Sequence, residues 1–109
     1  MEEVLAKASD LGRAIRGTGK FRALRDAEAA VMKSPESVKL AEALGTLQQE
    51  QAEAARAGKA LGEESRVRLE NIAAAAALDP RIQALDAEQK EFQALVNRVN
   101  GAMLAELGP

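Results

Sequence analysis

The chain has 109 residues, a formal net charge of −2, no Cys and no His. Those absences exclude disulfides, thiolate chemistry, imidazole bases and the usual zinc, copper and iron–sulfur ligands, so no cofactor or metal is expected and the chain does not read as an enzyme. The hydrophobic fraction is 47%, but 24 of those residues are Ala, two are Phe, and Trp and Tyr are absent; with so few large apolar side chains one small domain over residues 1–109 is thinly stabilised alone, which favours self-association into a dimer or higher oligomer.

Prolines and glycines fall between amphipathic segments and no alternating β-branched run occurs, so the chain is predicted all-α. A first helix runs from about Glu2 to Arg16 with Val4, Leu5, Ala8, Leu11 and Ile15 on one face and Gly17 as its C-cap. Thr18 caps a second helix with an apolar face of Phe21, Leu24, Ala27 and Val31.

Between them lies "RGTGKF". A phosphate-binding loop requires a first Gly five positions before the Gly-Lys pair and a Ser or Thr after it. Here Ala14 and Phe21 stand in those places, and a helix precedes the run. The stretch therefore reads as a helix stop followed by a helix start.

Ser34-Pro35 opens a third helix, since Pro lacks only an N–H that is unpaired at the first helical position. Leu40, Leu44 and Leu47 form its stripe, Gln51 and Ala54 continue it, and Gly58 stops it. The loop "GKALGEE" leads to a fourth helix with Leu69, Ile72, Ala73 and Ala76 facing inward, and Glu63 and Glu64 favour its N-terminal dipole. The third and fourth helices are expected to fold back as an antiparallel hairpin, with Leu47 near Ala74 and Gln51 near Glu70. The run Ala73 to Ala77 is too small to fill a wide core and implies two closely packed axes.

Asp79-Pro80 repeats the Ser-Pro device and starts a fifth helix that runs almost to Gly108. Ile82, Leu85, Gln89, Phe92, Val96, Val99 and Met103 recur at steps of three and four, a heptad seam. Leu95, Ala102 and Leu104 flank it. The expected architecture is a five-helix bundle with a long C-terminal heptad helix. Leu85, Gln89, Phe92, Val96, Val99 and Met103 are the candidate oligomer interface. Gln51 and Gln89, polar residues on apolar seams, are expected to fix register.

Charge clusters in one place: Arg13, Arg16, Lys20, Arg22 and Arg25, a weak basic patch. Arg13 and Arg16 complement the C-terminal dipole of the first helix, whereas Lys20 and Arg22 occupy the first turn of the second, where positive charge needs a compensating carboxylate or partner. With no aromatic stacking platform, nucleic-acid binding is not expected. No segment is apolar over the length of a bilayer and no leader is evident, so a cytoplasmic location without membrane association is expected.

Three stretches, "LGRAIRGTGKFRALRDAE", "TLQQEQAEAARAGKALGEE" and "LDAEQKEFQALVNRVNGAM", resemble in order and spacing the segments of the YlbF/YmcA family of small helical bacterial proteins, with the nearest likeness to its short YheA-like members. The resemblance implies a bacterial, self-associating, non-catalytic protein with a regulatory role exerted through protein partners. Better-studied members carry cysteines linked to an iron–sulfur cluster, which this chain lacks. Where relatives tend to read Ser-Glu-Glu-Phe, it has Thr18-Gly19-Lys20-Phe21. The alternative reading is an RNA- or anion-binding accessory protein using the basic patch around residues 13–25.

Overall fold

A computed structural model describes residues 1–108. It contains five helices and is 86% helical, with no strand among the described residues. In chain order they are α1 (Glu2–Arg16), α2 (Gly19–Met32), α3 (Pro35–Arg56), α4 (Glu63–Ala77) and α5 (Pro80–Glu106). The chain divides into two compact units, Met1–Glu28 with Leu85 onward, and Ala29–Ala84.

Each boundary has a local cause. At the α1/α2 junction the Thr18 hydroxyl donates to the Ile15 carbonyl at 2.7 Å and accepts from the Phe21 N–H at 3.2 Å, ending one helix and starting the next. Gly17 has φ −80°, so the stop is made by Thr18 and not by the glycine's left-handed freedom. Gly58 does use that freedom: at φ 69° it lets the Lys59 N–H reach back to the Ala54 carbonyl at 2.8 Å and closes α3. Ser34 caps α3 by accepting from the Ser37 N–H at 3.3 Å. Asp79 caps α5 by accepting from the N–H groups of Arg81 and Ile82 at 2.9 and 3.2 Å.

In the unit Ala29–Ala84, α3 and α4 pair closely as an antiparallel hairpin. Ser37, Leu40, Leu44 and Leu47 line the inner face of α3, with Ser37 and Leu47 buried. On α4 the inward positions are Ser65, Leu69, Ile72, Ala75 and Ala76, the last of them buried. Ala73, placed inward by periodicity, is exposed, as are Ala74 and Ala77; one small buried residue, not a run of five, seats α4 against α3. Register also differs from expectation. Ser37 on the first turn of α3 bonds Asp79 just past α4, so Leu47, ten residues further on, lies level with Leu69 and not with Ala74. Gln51 is exposed, so the register is not set by a buried amide there.

The unit formed by Met1–Glu28 and Leu85 onward is packed more lightly. Ala27 is buried, while Leu11, Ile15, Phe21, Leu24, Leu85, Phe92, Leu95, Val96 and Val99 are half-buried. The buried apolar set among all described residues is Ala27, Val31, Leu47 and Ala76, a small core for a chain of this length.

Candidate interaction surfaces

The α2 start and the middle of α5 meet at one corner of the lighter unit. Here the Thr18 cap fixes the first turn of α2, directing Lys20 and Phe21 at residues 71 positions away in sequence. The Lys20 ammonium donates to Glu91 Oε2 at 2.6 Å. Next to it the Phe21 and Phe92 rings stand 5.8 Å apart at 56°, a tilted pairing that suits the positive edge of one ring to the negative face of the other. The Arg25 guanidinium lies 5.0 Å from the Phe21 ring centre and its Nη1 donates to Glu28 at 3.3 Å.

The electrostatics follow from these contacts. The hydrogen bond to Glu91, and then its charge, raise the pKa of Lys20; partial desolvation opposes them and Glu88 adds a smaller contribution in the same direction. Glu91 is correspondingly held below its ordinary value, first by the hydrogen bond from Lys20. Both partners are more than half exposed, so the pair orients the two helices more than it stabilises them. It also answers the sequence puzzle of a cation in the first turn of a helix: the carboxylate comes from α5. Sequence reading missed Glu91 because nothing local links it to Lys20.

The basic patch is largely engaged within the chain. Arg13 pairs with Asp10, Lys20 with Glu91, and Arg25 with Glu28. Arg16 and Arg22 carry no ion pair among the described residues. Beside Lys20 and Glu91 a shallow groove of about 190 Å³ is lined by Ala94, Leu95 and Arg98, too small and open for a drug-sized ligand.

Of the proposed seam on α5, Leu85, Phe92, Val96 and Val99 are half-buried, while Gln89 and Met103 are exposed. Within the chain the inward position between Leu85 and Phe92 is taken by Glu88 in place of Gln89. Further along, Met103, Leu104 and Leu107 are exposed, and on α1 Val4 and Leu5 are 64% and 59% exposed.

In the unit Ala29–Ala84 a second polar constellation joins two helix starts. The buried Ser37 hydroxyl donates to Asp79 Oδ2 at 2.6 Å while Oδ1 caps α5. This bond holds the Asp79 carboxyl below its ordinary range, with the backbone N–H groups adding to it and partial burial opposing. The carboxylate accepts three hydrogen bonds from its own chain, so the arrangement is structural. No group of three or more Asp or Glu residues that could hold a metal ion occurs among the described residues, and no described helix is long and apolar enough to cross a membrane.

Residues 4–107 match the family described as "Control of competence regulator ComK, YlbF/YmcA". Comparison with curated proteins gives no match.

Proposed function

We propose, because this chain belongs to the YlbF/YmcA family, that it is a non-catalytic, homo-oligomeric helical protein of regulatory type that acts by binding protein surfaces. The family's description as a control of a competence regulator supports a regulatory role. The observation that carries the reading is a mismatch between core and surface: four apolar residues are buried among the described residues, while Val4, Leu5, Met103, Leu104 and Leu107 face solvent. A chain with little to gain from its own interior and large aliphatic groups outside gains stability by covering them with another protein surface. A cytoplasmic location and the nearer likeness to the YheA-like members belong to the same reading. Anion binding through the patch at residues 13–25 has weaker support, since Arg13, Lys20 and Arg25 already hold carboxylates of the same chain.

Sedimentation equilibrium tests it. The native protein is expected to be a dimer or larger at micromolar concentration. Val96→Asp with Val99→Asp, which puts unpaired charge in the half-buried seam of α5, is expected to give monomer or unfolded chain, because desolvating each carboxylate costs several kcal/mol. A native protein that stays monomeric at high concentration rejects the reading.

A further inference from the structure

Helix α1 carries its apolar residues on a stripe that the chain covers only in part, leaving its N-terminal half open. Val4, Ala8, Leu11 and Ile15 recur at steps of four, three and four, the spacing of a coiled-coil seam. Val4, Leu5 and Ala8 are exposed, the first two by more than half, while Leu11 and Ile15 are half-buried. Gly12 sits beside the seam in the helix interior, where glycine is unfavourable, and a Cβ built there meets nothing within 4 Å. The protomer therefore gives no reason for that residue to be small; a second backbone passing close by would.

Charge says which backbone. The N-terminal end of α1 is acidic, with Glu2 and Glu3, and its C-terminal end is basic, with Arg13 and Arg16. Such a helix repels a parallel copy of itself and matches an antiparallel one. At 100° per residue, an antiparallel pair centred near Ala8 sets Leu5 of one copy over Gly12 of the other on one side of the seam. On that same side it brings Glu2 alongside Arg16, which has no ion pair of its own among the described residues. Packing and charge converge on one register.

We propose that α1 is a self-recognition element, pairing antiparallel with α1 of a second copy about a two-fold axis near Ala8. This rests on the homo-oligomeric reading above and specifies one surface for it. The contact is isologous, so each ion pair occurs twice and the interface closes on itself. The aliphatic stripe drives association, and the end charges choose direction and register.

The chain has no cysteine, so single cysteines report proximity without background. Ala8→Cys is expected to oxidise to a covalent dimer, while Ala6→Cys, on the opposite face of α1, stays uncrosslinked. Both positions are exposed and tolerate the change. Glu2→Arg and Arg16→Glu are each expected to weaken association about tenfold by converting both end contacts to repulsions. An equimolar mixture of the two variants restores it, since each end then pairs Arg with Glu. Crosslinking at Ala8 but not Ala6, with rescue in the mixture, establishes the contact. A native oligomer whose Ala8→Cys form fails to crosslink, or crosslinks no better than Ala6→Cys, or whose charge variants show no mutual rescue, overturns the α1 contact and leaves the homo-oligomeric reading standing. A native monomer removes both.

Discussion

The two units of this chain bury apolar surface to different extents. The segment Ala29–Ala84 buries Val31, Leu47 and Ala76 and closes its α3/α4 hairpin with a polar bond from a fully buried hydroxyl. The unit formed by Met1–Glu28 and Leu85 onward buries Ala27 and leaves Val4, Leu5, Met103, Leu104 and Leu107 in solvent. The lighter unit holds both Phe and no fewer large aliphatic residues, while Ala29–Ala84 is richer in Ala, so a shortage of large apolar groups does not explain the contrast. Connectivity does: α3 and α4 are joined by a short Gly58–Gly62 turn that brings their stripes together locally, whereas α1 and α5 lie at opposite ends of the sequence. The unit Ala29–Ala84 closes more of its interior locally, although Met32, Val67 and Leu78 are exposed there too; the other unit leaves more of its aliphatic surface in solvent.

The most damaging change expected is Leu47→Ala. Leu47 is 2% exposed and its loss removes the most deeply buried aliphatic group of the hairpin, at a cost of about 2–5 kcal/mol. Thermal unfolding followed by circular dichroism measures it. If Val4→Ala destabilised the protomer equally, the contrast between the units would fail, because Val4 is expected to affect association and not protomer stability.

Ser37→Ala comes next. It removes the donor that holds the Asp79 carboxylate, and is expected to lower the melting temperature by about 3–6 °C. The folded-state pKa of Asp79 is depressed from its ordinary 3.8, so this stabilisation is complete above that value and disappears as pH falls through the lower folded value. The gap between wild type and Ser37→Ala should thus be constant at neutral pH and narrow on acidification below 3.8. A gap that stays constant into strong acid would mean that the hydroxyl acts through packing alone.

Lys20→Gln is the smallest expected change. Its pair with Glu91 is exposed and screened, so melting should barely shift, and the small shift should vanish in high salt. The pair's contribution is present below the ordinary lysine value of 10.5 and above the ordinary glutamate value of 4.5. It is lost as pH rises through the raised folded value of Lys20 or falls through the lowered one of Glu91. A marked loss at neutral pH and high salt would show that the corner carries more of the fold than its exposure implies.

Much of this was legible in the sequence. The five helices, the Thr18, Ser34 and Asp79 caps and the Gly58 stop follow from residue chemistry within a few positions of each boundary, and the structure places them there. Register was not legible. Counting from the turn sets Leu47 against Ala74, but the pairing is fixed by Ser37 meeting Asp79, a contact between residues 42 apart with no local signature. Periodicity sets both Ala73 and Ala76 inward; Ala76 is buried but Ala73 is exposed, because in a run of five alanines nothing local marks the edge of the inner face. For the same reason the carboxylate facing Lys20 escaped notice: an exposed Glu on a helix shows nothing that distinguishes Glu91 from Glu88.

The Phe21–Phe92 contact has a further consequence in spectroscopic terms. The chain holds two Phe and no other aromatic or imidazole ring, and those two rings lie 5.8 Å apart. Every aromatic ring current in the molecule therefore originates from one small volume, one helical turn from Val96. Any methyl resonance displaced far upfield in a proton spectrum reports that volume alone, without assignment of the rest. Dilution would then reveal whether the dissociation of copies is felt at the α2/α5 corner: a shift that moves with concentration links the corner to assembly, and a fixed one marks it as a rigid part of the protomer.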